Sequence, residues 1–368
     1  MKIGIMTMHR VLNCGSALQA YALQRKLCEL GHESEIIDYQ YVDKSRALPP
    51  VKSLAGSLVA LLRNVLFGFP VARMKRKFKA FYKQNLVLTE KAYDRESIVK
   101  EPPLYDVYIA GSDQVWNPRF IGDDVNFMLS FTPPDARRIS YAASIAADTM
   151  DGAMKERYAS CLSCFHAISV RERSGVDIIK ELTGKDATVC CDPTLLLGRE
   201  AWDALAAQSR CKMDGKYILV YALSYMFDPF PQIYGIVDKV QQTLGMKVVF
   251  LQGRAKDIFR PDSKLIKSAG PADFACLFQN ASFVITTSFH GAAFALINDK
   301  PLIGVVDVHS HADSRIQSLL ASVSAADAVY DYRDSVDLDA DGLLGLKGDR
   351  EALERLIEES TRYLKENL

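Results

Sequence analysis

The segment Cys191-Asp192-Pro193-Thr194 is followed, after a polar and Gly-containing interval, by Tyr217-Ile218-Leu219-Val220-Tyr221-Ala222. This passage decides how the chain divides. Asp-Pro closes an extended segment, because proline lacks the N–H that would continue a ladder and restricts the residue before it. The apolar run that restarts at Tyr217 has the length and β-branched content of a buried strand. On both sides of the break, short apolar runs alternate with longer amphipathic ones, the βαβα rhythm of parallel sheets covered by helices. Upstream, the pattern predicts strands over 3–8, 35–38, 107–110, 138–142, 167–170 and 187–190, with helices over 16–30 and 174–183. Downstream it predicts helices over 230–244, 271–278, 290–297 and 314–320, with strands over 247–251, 283–286 and 302–306. We therefore expect an α/β chain of two Rossmann-like, doubly wound domains facing a cleft. The first covers 1–195, with a basic insertion over 44–90, and the second 196–348. A Glu- and Leu-rich helix over 349–368 needs a surface for its apolar face and is expected to cross back onto the first domain.

At 368 residues the chain exceeds the size at which a single core stops growing, which favours two domains. Lys+Arg and Asp+Glu stand at 45 each, so net charge names no partner and gives no sign of nucleic-acid binding. The balance hides an asymmetry: 44–83 holds ten Lys/Arg and no Asp or Glu. Apolar runs inside that stretch are interrupted by Arg63, Asn64 and Pro70 before they reach a membrane-spanning length. Two readings follow: a peripheral contact with an anionic membrane at its inner face, or a core-packing helix with a solvated basic face. The eight cysteines form no regular framework, and residues 1–5 read as a strand rather than a signal peptide, so we expect reduced thiols in a cytoplasmic protein. Cys161-x-x-Cys164 lacks a second such pair and is read as two buried thiols on a helix.

Ligands of open parallel sheets gather beyond the carboxyl ends of the strands, where helix N-termini present free N–H groups. Four segments fall there. Asn13-Cys14-Gly15-Ser16 opens the first helix, either as a site for a hydroxyl or anion or as an ordinary tight turn. Gly111-Ser112-Asp113-Gln114-Val115-Trp116-Asn117 mixes donors, acceptors and an indole, the mixture sugar binding uses; Asp113 can also act as a base. The alternative there is a helix cap beside a buried tryptophan. Ser169-Val170-Arg171-Glu172-Arg173 places guanidiniums at a strand mouth, with Arg171 the better anion ligand. Thr286-Thr287-Ser288-Phe289-His290-Gly291 sets hydroxyls and an imidazole at the start of an apolar helix. Further on, His309-Ser310-His311-Ala312-Asp313 is thin evidence for a metal, Ser314 reads as a cap and Arg315 as an anion contact. No residue set here demands a metal or cofactor.

Together with Leu18-Gln19-Ala20-Tyr21, Ser140-Tyr141-Ala142-Ala143-Ser144 and the Asp192-Pro193-Thr194 segment, these motifs resemble the polysaccharide pyruvyl transferase family in order and spacing, over roughly 3–320. The resemblance implies a glycosyltransferase-B-like fold. It also implies phosphoenolpyruvate as donor and a sugar acceptor of a bacterial surface or exopolysaccharide precursor, on which a pyruvate ketal is formed. Carried over by motif, Arg171, Ser288, His290, Gly291 and Arg315 are the expected donor-binding residues. Asn13, Gly15, Ser112, Asp113, Gln114 and Trp116 are the expected acceptor-binding ones, with His290 and Asp113 as the catalytic pair. The acceptor can be lipid-linked, which would suit a membrane-side location. One departure stands out: many members carry Arg-Leu-His where this chain has Ser288-Phe289-His290, and Arg315, Arg254 or Arg173 is then expected to supply the missing cation. Two rival readings keep the same fold: a nucleotide-sugar glycosyltransferase, and a catalytically silent glycan-binding homologue.

Overall fold

The computed structural model describes residues 1–41, 69–146, 152–224, 226–309 and 314–368. Much of the basic stretch, the apolar runs over 53–68 and the cluster beyond His309 lie outside these residues, as does the side chain of Ser314.

The first unit is built on β1 (Lys2–Met6), β2 (Glu33–Ile36), β3 (Val107–Ala110) and β4 (Arg137–Ser140), all parallel, in the order β2-β1-β3-β4. Lone bridges from Ile139 to Ala167 and from Ala143 to Val170 continue the sheet to β5 (Ser169–Val170) and β6 (Thr188–Val189). The second unit is a six-stranded parallel sheet of β7 (Tyr217–Tyr221), β8 (Lys247–Leu251), β9 (Ser263–Ile266), β10 (Phe283–Thr286), β11 (Leu302–Val306) and β12 (Val329–Asp331), ordered β12-β11-β10-β7-β8-β9. Counted from its own first strand this is the 3-2-1-4-5-6 order of a dinucleotide-type doubly wound sheet. The central strands β3, β7, β10 and β11 are buried along their whole length, as parallel strands covered on both faces must be.

The helices that matter for the site are α1 (Cys14–Glu29), α2 (Pro70–Asn85), α3 (Gly152–Leu162), α4 (Arg173–Thr183), α5 (Pro193–Leu196), α6 (Arg199–Ala206), α7 (Ile233–Leu244), α8 (Pro271–Asn280), α9 (Phe289–Ile297), α10 (Ser314–Ser322) and α11 (Arg350–Asn367). α1 starts two residues before the expected position because Asn13 caps it, accepting from the N–H groups of Gly15 and Ser16. α7 starts at Ile233, beyond Pro231, and the strand expected over 138–142 stops at Ser140, just before Ala142 turns left-handed with φ 47°. α2 buries Phe78 and Phe81, leaves Lys77 half-buried and exposes its other five cations. The two thiols expected to be buried on a helix are not: Cys161 is half-buried near the end of α3 and Cys164, beyond it, is exposed. No helix among the described residues is long and apolar enough to cross a membrane.

The chain passes between units after α5, which packs on α1, while α6 packs on α8. Trp202 of α6 bridges the two cores, edge-on to Tyr21 of α1 at 5.9 Å and to Phe294 of α9 at 4.8 Å. α11 begins at an Asp349 cap and turns Leu353, Leu356, Ile357, Ser360, Tyr363 and Leu364 toward the protein, an i, i+3, i+4, i+7 stripe. It returns to the first unit: the Tyr363 hydroxyl donates to Ser140 O (3.0 Å), the Ser360 hydroxyl accepts from Cys191 N (2.9 Å), and Arg137 donates to Asn367 O. Tyr363→Phe is expected to cost about 0.5–1.5 kcal/mol in urea denaturation, the net worth of one buried hydrogen bond.

Candidate active-site cleft

In doubly wound sheets the ligand crevice lies where the strand order reverses, beyond the carboxyl ends of the two strands that flank the reversal. In the first unit these are β1 and β3, and the loops that follow them carry Asn13, Gly15, Ser112, Asp113 and Gln114. In the second they are β7 and β10, whose loops carry Leu223, Met226 and Phe227, then Thr287, Ser288, Phe289 and His290. The two crevices face each other across one cleft. Asn13, Asp113 and Gln114 line one wall; the two second-unit loops, with Arg315 from α10, line the other. Arg119 Nη1 reaches Met226 Sδ at 3.7 Å across the unit boundary.

The first-unit wall is held from behind. Burial alone pushes the Asp38 carboxyl up, but hydrogen bonds from His9 and Arg10 more than offset this and hold it down to about 2, so it stays ionised and anchors the loop after β1. Asp113 sits at φ +72°, a left-handed backbone that aspartate tolerates better than most residues. Its Oδ2 accepts from the Ser16 hydroxyl at 2.5 Å and its Oδ1 from Gln114 N at 3.0 Å. Gln114 Oε1 in turn accepts from Asn117 Nδ2 at 2.7 Å. At Gly15 the units approach closely: a Cβ there would lie 2.2 Å from His290 Nδ1.

The second-unit wall is the start of α9. Ser288 is its N-cap, its hydroxyl accepting from Gly291 N at 3.4 Å. The position where many relatives are expected to carry arginine therefore does helix-capping work in this chain. Gly291 is needed for packing, since a Cβ would meet Thr286 Oγ1 at 2.2 Å. The first turn of α9, with its N–H groups and positive dipole end, opens on the cleft beside His290.

Beneath the cleft lies a buried charge cluster centred on Asp192, which caps α5 through Thr194 N and accepts from the Thr194 hydroxyl. Its Oδ2 accepts from Arg171 Nη1 at 2.9 Å and from the Ser112 hydroxyl at 3.1 Å, and lies 3.5 Å from His290 Nε2. Burial pushes this carboxyl up, but His290, Arg171 and the Thr194 N–H together outweigh burial and hold it well below the usual carboxylate range. Arg171 is stacked 4.3 Å from the centroid of the Phe289 ring. Its Nη2 stands 3.9 Å from Asp113 Oδ1 and its Nε 4.0 Å from Glu172 Oε2, neither with a hydrogen bond. Glu172 Oε1 accepts from the Ser144 hydroxyl and from Ile145 N and Ala146 N, so it clamps the loop after β4.

Three expectations are corrected. Trp116 cannot stack on a sugar: it is fully buried, edge-on to Phe165, with its indole N–H donated to Phe127 O. Phe227 and Phe289 are the aromatics on the cleft wall instead. Arg171 is not a direct anion clamp here, because its side chain is 1% exposed, ion-paired to Asp192 and covered by Phe289. Ser112 is likewise fully buried and spends its hydroxyl on Asp192, so it supports the wall rather than forming it. Of the three candidate replacement cations, Arg315 lines the cleft; Arg254 pairs with Asp228 and stacks on Phe230, and Arg173 is exposed on α4. Asp192, Ser16 and Phe227 were not singled out from sequence. The Asp-Pro-Thr pattern of a helix cap was the available signal for Asp192.

Comparison with curated proteins returns no match. Among solved structures the chain is similar to UDP-GlcNAc 2-epimerase from Methanocaldococcus jannaschii. The likeness has 13% identity and a TM-score of 0.53, covering 97% of this chain and 92% of that one. A structure of the same archaeal enzyme in complex with UDP-GlcNAc and UDP gives 12% identity and the same TM-score of 0.53, covering 99% of each chain. At such identities the likeness establishes the glycosyltransferase-B-like, two-unit fold alone. The family profile for polysaccharide pyruvyl transferase matches residues 13–310, which takes in the Asp192 cluster and the residues of both cleft walls except Arg315. The chain belongs to the polysaccharide pyruvyl transferase family.

Proposed function

We propose that the cleft binds phosphoenolpyruvate against the second-unit wall and transfers its three-carbon unit to a sugar of a bacterial surface-glycan precursor held on the first-unit wall. The observation that carries this reading is the polarity of the cleft. Arg315, His290 and the α9 N-terminus line one side and suit an anion, while Asp113, Gln114 and Asn13 line the other and suit hydroxyl groups. The chemistry needs that division. A proton is added to the methylene carbon of the enol phosphate, and the C=C electron pair forms the new C–H bond. The neighbouring carbon becomes cationic and is attacked by a sugar hydroxyl oxygen, whose proton passes to a base. The bond to phosphate then breaks with its electrons, and a second hydroxyl oxygen attacks the carbon and closes the ketal, its proton passing to the departing phosphate.

In this scheme His290 is the proton donor or phosphate ligand, Asp113 the base or acceptor ligand, and Arg315 the anion contact. Arg171 acts through Asp192 and Phe289, holding the His290 side of the cleft in place. Phe227 offers the sugar an apolar face.

A donor that binds only the folded protein raises its melting temperature. Phosphoenolpyruvate at about a hundred times its Kd is expected to give a rise of a few degrees, on the order of 2–5 °C. The rise should disappear in Arg315→Ala and shrink in His290→Ala. UDP-GlcNAc in place of phosphoenolpyruvate should give none; a shift with the nucleotide sugar alone would favour a nucleotide-sugar glycosyltransferase.

A further inference from the structure

α2 carries six Lys/Arg and no acidic residue in its sixteen positions. Lys77 is committed to the protein, donating to Asp273 of α8 at 2.6 Å. The other five, Arg73, Lys75, Arg76, Lys79 and Lys83, are all exposed, and none is paired with a carboxylate among the described residues. At 100° per residue they occupy one continuous face, opposite Phe78 and Phe81, which are buried. Surface cations on a typical helix are interspersed with acids at i±3 or i±4, which screen them; here nothing on the helix does. Phe69 and Val71, each 51% exposed, stand at the head of the same helix. Cations in a row with exposed apolar side chains beside them match the interface of an anionic bilayer, where ammonium and guanidinium groups meet headgroup phosphates and apolar side chains enter the boundary below. A soluble polyanion would use the cations and leave Phe69 and Val71 in water.

The buried side of α2 is firmly seated, which a docking helix requires. The Tyr82 hydroxyl donates to His9 O at 2.6 Å and Phe81 packs edge-on to Tyr21 at 5.9 Å, while Lys77 ties the helix to the second unit. The exposed face is therefore held in a fixed position next to the loop over 9–13 that forms the first-unit wall of the cleft.

We infer that the exposed face of α2 is a docking surface for an anionic lipid bilayer. The inference does not depend on the chemistry proposed for the cleft, because lipid binding is read without turnover.

The test is co-sedimentation of the full chain with vesicles. One set is pure phosphatidylcholine, and in the other about a third of the lipid is phosphatidylglycerol. Binding is expected to the anionic vesicles alone and to be largely lost when salt is raised to about 0.5 M. Each cation near such a surface is worth about a fivefold change in affinity. Arg76→Gln/Lys79→Gln/Lys83→Gln should therefore bind roughly a hundredfold more weakly. A control with the same charge change elsewhere, Lys100→Gln/Arg350→Gln/Arg355→Gln, should bind like wild type. Because all six positions are exposed, both variants should melt with wild type, which separates lost binding from lost folding. Three outcomes would overturn the inference: equal weakening in the two variants, equal binding to neutral and anionic vesicles, or capture by a soluble polyanion such as heparin with no binding to vesicles.

Discussion

Asp192→Ala is expected to lower the unfolding free energy by about 3–5 kcal/mol, the usual consequence of removing one partner from a buried ion pair. The carboxylate is fully buried and answers Arg171 Nη1, the Ser112 hydroxyl and the Thr194 N–H and hydroxyl at once. Its loss strands a guanidinium that already has two polar edges without hydrogen bonds. The check is the urea midpoint at unchanged m-value. Adding Arg171→Met to the alanine variant should recover much of the loss, because an apolar side chain of similar length replaces an unpaired charge. If the double variant is no more stable than the single one, the ion pair is not the source of the cost.

The same residue makes a prediction about acid. Its folded-state pKa is depressed, so its contribution is fully present above the ordinary aspartate value of about 3.9 and is lost as pH falls through the folded value. The stability gap between wild type and Asp192→Asn should thus close as pH falls below about 4.

Gly15→Ala is expected to reduce transfer by about a hundredfold or more while leaving the melting temperature within a few degrees. The added Cβ would stand 2.2 Å from His290 Nδ1, so the imidazole has to leave its place. Overpacking at one buried position costs about 1–3 kcal/mol, which moves the melting temperature of a chain this long by only a few degrees. Stability and activity are therefore predicted to move apart. The ring resonances of His290 in a nuclear magnetic resonance spectrum report the displacement without any substrate, and phosphate release in the presence of donor and acceptor reports the activity. A displaced ring with undiminished phosphate release would remove His290 from the proposed mechanism.

Most of the first-order architecture was legible in the sequence because it rests on residue periodicity. Val107–Ala110, Phe283–Thr286 and Leu302–Val306 stand where their apolar runs predict, since strands buried on both faces allow little else. The edge strands of the second unit were not legible: Ser263–Ile266 is short and only partly buried, and it is held by its neighbour β8. The site divides the same way. Loops at strand ends could be found by position, so Asn13, Asp113, His290 and Arg315 come together on one cleft. Direction could not be found. Trp116 and Arg171 point inward, and their motifs give no sign of it, because the residues that cover them, Phe127, Phe165 and Phe289, come from elsewhere in the chain.

The return of α11 has a consequence for the order of events during synthesis. Ser140 at the end of β4 is met by Tyr363, 223 residues later, and Cys191 by Ser360, 169 residues later. On a ribosome the first sheet emerges early, yet the stripe that covers it arrives only with the final turns of the chain. The second unit is then complete before the first is sealed. A nonsense mutation or a protease nick just before Tyr363 should therefore uncover Tyr141 and Cys190, encoded far upstream of the break, with new hydrophobic dye binding as its signature.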